Sequence, residues 1–412
     1  MTDDNSPSVS SPVLGPAPGA GLALSVVCFD WPWPADYGGV IDVAGKVEAL
    51  LSDGVDVDLH VVSYPRAVEA EPPARPPGRL RVFRYARRGR RALLSRRPFI
   101  VASRAVAPLL PNLASGPPVI LFEGTHCAGY LGHPRLDHQA QWLRLHNREA
   151  DYYGGLYAGA TSWRQRWYFG REARLLRGYE RRAIRMADLT LPITRRDAGY
   201  VAEEAGERVL VQTPYTLADR DATARSEPEA DAQPAYALFH AGFHVADNVR
   251  VALGLAERFA SLGLPLVLAG RTPPPVLAEA VADLAGVTLV ADPDRREMQR
   301  LLAGAQVVVL RSAERAGFKL KLLESLRTAR LVLADEAVCY GAPGLTDAAR
   351  AAGLLRTVEQ ADRWDEAIRA AFAKTGPAIP PGRRAELLRP YRASTLARTL
   401  IEKLRAATFK TN

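Results

Sequence analysis

The chain has 412 residues, 48% of them hydrophobic and 24% charged, and a formal net charge of +9. That length exceeds one ordinary core and predicts two domains, and the balance excludes a wholly disordered or fibrous chain. Cys28, Cys127 and Cys339 lie far apart, which excludes a disulfide framework or zinc ribbon, and no apolar run is long enough to span a membrane. The positive charge favours an anionic partner without choosing among a nucleotide, a nucleic acid and an anionic membrane surface. The start carries Asp3 and Asp4 rather than a basic segment leading into an apolar one, so no export signal and a cytoplasmic location are expected.

Residues 1–21, rich in Pro, Ser and Gly, read as a disordered tail. Leu24–Phe29 is a compact apolar strand, followed by a loop, a helix over Val40–Leu51 and a strand over Val55–Val62, which is a βαβ opening. Gly38 and Gly39 stand at the helix entrance. There a missing Cβ lets a ligand approach free backbone N–H groups and the positive end of the helix dipole, and a purely structural turn is the competing reading. Arg87, Arg88, Arg90, Arg91, Arg96 and Arg97 form a basic cluster: a solvated face, or a contact for an anionic membrane or a lipid-linked diphosphate.

Strand Val119–Phe122 leads into Glu123-Gly-Thr-His126, and strand Gln141–Leu145 into His146-Asn-Arg-Glu149. Polar groups at strand ends of an open α/β sheet face the ligand crevice, so His126 is the first candidate there and His146 the second. Trp163–Arg185 carries eight arginines against Glu172 and Glu180, with Tyr168, Leu175, Tyr179 and Ala183 at helical spacing. It is predicted as an amphipathic helix whose basic face is solvated or lies on a membrane surface. The first domain is placed at residues 22–217 and a polar, proline-bounded linker at 218–234.

A second domain over residues 235–382 opens with strand Tyr236–Phe239 and a loop holding His240, Gly242 and His244, with Arg250 beyond it. The two histidines have metal-pair spacing, but no Glu follows the first, and no metal is assigned. Asp292-Pro-Asp294 has Glu297 three residues past Asp294, the spacing of a helix cap. Val307–Leu310 and Leu331–Ala334 read as strands, with Leu320, Leu322, Leu323 and Leu326 forming one helix face between them. Gly317 lies at the entry of that helix, Lys319 and Lys321 follow, and Glu324 is one turn on. An anion at the helix start, with a carboxylate nearby for hydroxyl groups, suits a nucleoside diphosphate whose ribose lies beside the helix. Residues 383–412 are predicted as a helix that crosses back to brace the first domain.

The segment Ala316-Gly-Phe-Lys-Leu-Lys-Leu-Leu-Glu324 resembles the donor site of retaining family 4 glycosyltransferases, in the subgroup with G-x-K-x-K-x-L-E. Pro34-Ala-Asp-Tyr-Gly-Gly39 with Asp42 and Lys46, the E-G-x-H and H-N-x-E-x-D-Y-Y segments, and Met186–Thr194 extend the resemblance over most of Leu22–Leu345. It implies an α/β protein of the GT-B class, with two Rossmann-like domains facing a central cleft. It further implies a nucleotide-sugar co-substrate, no cofactor or metal, no nucleic acid, and retaining transfer to a glycan or lipid-linked acceptor. Synthesis of surface polysaccharide or glycoconjugate, at the inner face of the membrane, is the implied setting. Carried over by position, Gly38, Gly39 and Gly242 face the donor, Glu324 contacts its ribose, and His126 or His146 touches sugar or acceptor. Many members place an Arg and a Lys after the glycine of Gly242; here Asp247, Asn248 and Arg250 follow, and Lys319 and Lys321 are expected to supply the charge. The commoner pattern also has a Glu where this chain has Ala316, which leaves Glu314 as the candidate carboxylate near the sugar. A nucleotide-sugar epimerase of the same fold and a catalytically silent glycan-binding or scaffold protein are the alternatives.

Overall fold

The computed structural model describes residues 19–65, 69–72, 77–216, 235–312, 315, 317–373 and 380–411. Most of the expected tail, the whole expected linker, and Glu314 and Ala316 lie outside the described residues.

The apolar runs near Leu24–Phe29, Val119–Phe122 and Val307–Leu310 become central strands buried on both faces, as a parallel sheet covered by helices requires. Strands β1 (Ala23–Cys28), β2 (Asp56–Ser63), β3 (Leu80–Ala86), β4 (Val119–Glu123), β5 (Ala140–Leu145) and β6 (Leu189–Pro192) form one sheet in the order β3-β2-β1-β4-β5-β6. Strands β7 (Ala237–Gly242), β8 (Leu266–Arg271), β9 (Val287–Ala291), β10 (Val307–Leu310), β11 (Val332–Ala334) and β12 (Leu355–Thr357) form the second, ordered β12-β11-β10-β7-β8-β9. Every strand pairing is parallel. Each sheet therefore has one place where the strand order reverses, between β1 and β4 and between β7 and β10. Open α/β sheets hold ligands in the crevice beyond the strand ends at such a switch point.

The final helix, Ala393–Thr411, lies on the first domain: Leu396, Ala397, Leu400, Ile401 and Leu404 join the core built from β1, β2 and the helix Gly38–Ser52. Arg384, buried in the preceding helix, donates to the carbonyls of Leu326 and Ala329 and so closes the C-terminal end of the helix Leu320–Thr328. The arginine-rich helix Trp163–Met186 turns inward a face that shares Ala183 and Tyr179 with the one its apolar spacing predicts, but is centred on Leu176 rather than Leu175. Leu175 is only half-buried, whereas Leu176, Ala183, Ile184, Glu172 and Glu180 are buried. The two glutamates decide the rotation. Glu172 accepts from the N–H groups of Phe99 and Ile100, and Glu180 from those of Glu149 and Ala150, so each satisfies the start of another helix. Among the described residues, no helix is long and apolar enough to cross a membrane.

Candidate active site in the interdomain cleft

The two switch points confront each other. A Cβ placed on Gly38, at the start of the helix after β1, would touch Leu320 Cδ1 at 3.7 Å, at the start of the helix after β10. Gly317 adopts φ +58, and a Cβ there would meet Asn147 Oδ1, beyond β5, at 2.7 Å. Both the backbone conformation and the close approach require glycine. Arg271, at the end of β8, pairs with Asp36 of the loop after β1 at 3.3 Å across the same cleft.

On the second-domain side, the helix Leu320–Thr328 opens directly beyond β10, and Lys319 is its N-cap. The Lys321 ammonium donates to the Arg311 carbonyl at 2.8 Å and lies 5.4 Å from the Phe239 ring. Burial, with Lys319 adding repulsion, lowers its pKa to about 8. Glu324 is half-buried, its pKa raised by burial, and no described residue is hydrogen-bonded to its carboxylate. It is placed to accept hydroxyl hydrogen bonds. His240 is buried at the end of β7 and bonds Ser325 Oγ at 2.9 Å. Burial lowers its pKa to about 3, so it is a neutral brace for this helix. Gly242 ends β7, and Arg250 lies one turn into the helix Ala246–Leu262, where its exposed guanidinium pairs with Asp247 at 2.5 Å. The expected cap is present too: Glu297 N–H donates to Asp294 Oδ1 at 2.7 Å.

On the first-domain side, His126 follows β4 and is half-buried, with its ring edge-on to Phe29 at 4.6 Å between centroids. No described residue is hydrogen-bonded to it. Burial, then Arg104, His146 and Arg87, holds its pKa well below the usual range, so it enters the cleft as a neutral imidazole. His146 is differently employed. Its Nε2 lies 3.0 Å from Glu123 Oε2, inside a buried network that also holds Asp42, Lys46 and Arg144. Lys46 bonds Glu123 at 2.6 Å, and Arg144 grips both oxygens of Asp42 at 2.9 and 3.0 Å and donates to the Gln212 carbonyl at 2.6 Å. Tyr215 N–H adds a bond to Asp42 at 2.7 Å. Burial opposes ionisation of Asp42, but Arg144, Lys46 and His146 outweigh it and keep the carboxyl far below its usual range. Glu123 is lowered for a like reason, by Lys46 and His146 against burial.

Asp42, Glu123 and His146 have donor atoms within 4.8 Å of one another, a spacing a metal ion can use. Lys46 and Arg144 already sit against those carboxylates, so the chain supplies the positive charge itself. The structure thus gathers Gly38, Gly39, His126, Gly242, Gly317, Lys319, Lys321 and Glu324 at the two switch points, puts His146 behind them in the network, and leaves Arg250 beside Asp247. Arg144 escaped the sequence reading, and Glu149, quoted there only as part of the H-N-x-E segment, was given no role. Glu149 is buried at a helix start beside Glu180, and burial followed by that neighbour raises its pKa to about 8. Glu180 itself is raised to about 7 by burial, against the hydrogen bonds it accepts. A detectable signal existed for part of this: Asp42 and Lys46 are four residues apart on a mostly apolar helix and are buried together.

No family model matches the chain. A protein of the cps region of Klebsiella pneumoniae, of 44.6 kDa and uncharacterised, is 23% identical over 332 residues, covering 75% of this chain and 82% of that one. Among solved structures, sucrose-phosphate synthase of Thermosynechococcus elongatus aligns with a TM-score of 0.66 and 17% identity, covering 95% of this chain and all of that one. HepE of Anabaena, in complex with UDP and glucose, gives 0.60 and 12%, covering 93% and 100%. The catalytic domain of starch synthase IV of Arabidopsis thaliana, bound to ADP and acarbose, gives 0.59 and 13%, covering 95% and 99%. Two parallel six-stranded sheets with flanking helices, aligned over nearly the whole length with such neighbours, give this chain the α/β GT-B fold of glycosyltransferases.

Proposed function

We propose that the protein is a glycosyltransferase that moves a sugar from a nucleotide-sugar donor to a glycan or lipid-linked acceptor. The observation that carries this reading is the confrontation of the two switch points, with Lys319, Lys321 and Glu324 on one side of the cleft and His126 on the other. The donor diphosphate lies at the start of the helix Leu320–Thr328, and Glu324 takes the ribose hydroxyls. As the bond from the sugar to the diphosphate breaks, negative charge develops on the leaving oxygen. The helix N–H groups and the two lysines offset it without a metal. The neutral imidazole of His126 hydrogen-bonds a sugar or acceptor hydroxyl. Transfer with retention follows from the resemblance to family 4. The cps region named for the Klebsiella relative supports a role in surface-polysaccharide synthesis.

A peripheral place on an anionic membrane is supported by Trp163 and Trp167, one turn apart and 73% and 60% exposed, and by Leu94, 88% exposed. Arg171, one further turn along the same row, donates to the carbonyls of Leu93 and Ser95 and ties the two features together.

The test is a thermal-shift screen against UDP, GDP, ADP, CMP and dTDP, with Lys319→Ala and Glu324→Ala alongside. A nucleotide at a hundred times its dissociation constant stabilises the fold by about 2.7 kcal/mol. One base should give the shift in the wild type and lose it in both variants; no response to any base would sink the reading. Nucleoside diphosphate released in step with acceptor glycosylation separates a transferase from an epimerase or a silent scaffold.

A further inference from the structure

Arginines that are near neighbours in sequence fare differently on the first domain. Just before and along β3, Arg79, Arg81 and Arg84 are each matched by a carboxylate, from Asp56, Asp58 and Glu69. Beyond that strand, no described carboxylate comes within ion-pair distance of any arginine from Arg87 to Arg104. These unmatched cations are not splayed into solvent at random. Arg88, Arg90, Arg91 and Arg97 line one open cavity of about 680 Å³, floored by Ala102 and Ala105. Arg87 and Arg104 stand behind it, half-buried. Arg87 is held by Ser103 Oγ at 2.7 Å and Arg104 by the Ile100 carbonyl at 2.9 Å, both neutral partners. Arg104 Nε is buried without a hydrogen-bond partner.

The cavity abuts the cleft. Arg97 donates to the Gly129 carbonyl at 2.9 Å, in the same short helical segment, Thr125–Tyr130, that carries His126. Arg87 and Arg104 also act electrostatically on the His126 imidazole, which puts the arginine cluster beside it.

We propose that this cavity is the anion subsite of the acceptor, and that the acceptor bears a phosphate or diphosphate ester. The proposal rests on the glycosyltransferase reading for the word acceptor; the anion site itself does not. Guanidinium forks bind phosphate oxygens in pairs, and a concave cluster of them without carboxylates lacks only its counter-ion. The ester can be borne by a lipid or by a soluble sugar phosphate, since both present the same group.

The experiment uses the full chain and inorganic pyrophosphate as probe, read by calorimetry. Three proteins are compared: wild type, Lys319→Ala with Lys321→Ala, and Arg90→Ala with Arg91→Ala, the last pair being exposed and outside every packing contact argued above. Pyrophosphate should bind the wild type at two sites, the cavity and the donor helix; the lysine variant should keep the cavity site at wild-type affinity, and the arginine variant should keep only the donor site, its affinity at the cavity falling about tenfold or more, as loss of a charge-assisted contact implies. Binding lost in the lysine variant and kept in the arginine variant overturns the proposal, as does no binding to any of the three. Two further arms identify the source. Pelleting with phosphatidylcholine vesicles carrying farnesyl diphosphate, abolished in the arginine variant, marks a lipid-borne ester. Saturable binding of glucose 6-phosphate without pelleting marks a soluble one, and failure of both overturns the acceptor assignment. A protein that binds pyrophosphate in this pattern but no nucleotide retains the anion site and loses the glycosyltransferase reading, so the two failures are distinguishable.

Discussion

The two walls of the cleft handle charge in opposite ways. Behind the first-domain wall, Asp42, Glu123, Lys46 and Arg144 are buried and matched against one another, with His146 closing the set. On the second-domain wall, Lys321 has a carbonyl and the Phe239 ring for partners and no described carboxylate within ion-pair distance, and Glu324 has no hydrogen bond from a described residue. A matched buried network holds backbone in place, because breaking any pair leaves an uncompensated charge out of water. Polar groups without such partners hold little in place and are available to a ligand. The first set positions β4, β5 and the Gly38–Ser52 helix; the second is where the proposed donor would lie.

The largest effect should come from breaking the network. Asp42→Ala strands Arg144 and the Tyr215 amide, and unfolding in urea should show a loss of about 3 to 5 kcal/mol. A loss under 1 kcal/mol would mean that the network is solvated and that the contrast between the walls is wrong.

Glu149 gives the next effect and one of opposite sign. Its folded pKa of about 8 lies above that of an unfolded glutamate, so the folded state binds its proton more tightly. The stability this contributes is complete below about pH 4.5 and drains away as pH rises toward 8. Glu149→Gln should therefore be more stable than wild type at pH 8, by something on the order of 2 to 4 kcal/mol, and close to it at pH 5. Equal melting curves at both pH values would show that the group is solvated.

On the second-domain wall the effect is on affinity. Lys321→Ala should weaken nucleoside diphosphate binding about tenfold or more, with the melting temperature of the free protein nearly unchanged. Lys321 loses its charge near pH 8, so affinity in the wild type should begin to fall as pH passes that value, and in the variant it should not. A parallel pH response in the two proteins would remove Lys321 from the site.

The smallest effect belongs to the bridge between the walls. Arg271 and Asp36 are partly exposed, and Arg271→Ala should cost no more than about 1 kcal/mol of stability, less in high salt. Its use is to discriminate: a change in donor affinity without a change in stability would show that the pair sets the width of the cleft.

Much of this architecture is local and therefore legible along the chain. An apolar run, a glycine and a helix start are contiguous, so Gly38, His126, Gly242 and Gly317 could be placed at strand ends before any strand was ordered in a sheet. The two acids on the inward face of the arginine-rich helix were not legible, because Glu172 and Glu180 are buried by the helix starts they satisfy, and apolar spacing is blind to buried acids. The helix face that Leu175 marked was accordingly rotated by a residue.

The sequence by itself determined two α/β halves, the strand-end loops at which a ligand meets them, and a surplus of arginine. Which charges are spent and which are free was decided only in three dimensions. Arg144 reaches Asp42 across 102 residues and Lys46 reaches Glu123 across 77, through parallel strands whose neighbours are fixed by crossover connections. Arg84 finds a carboxylate and Arg87, three residues on, finds a hydroxyl. Ion pairing falls off within a few ångströms, so it follows the folded distance and not the separation along the chain.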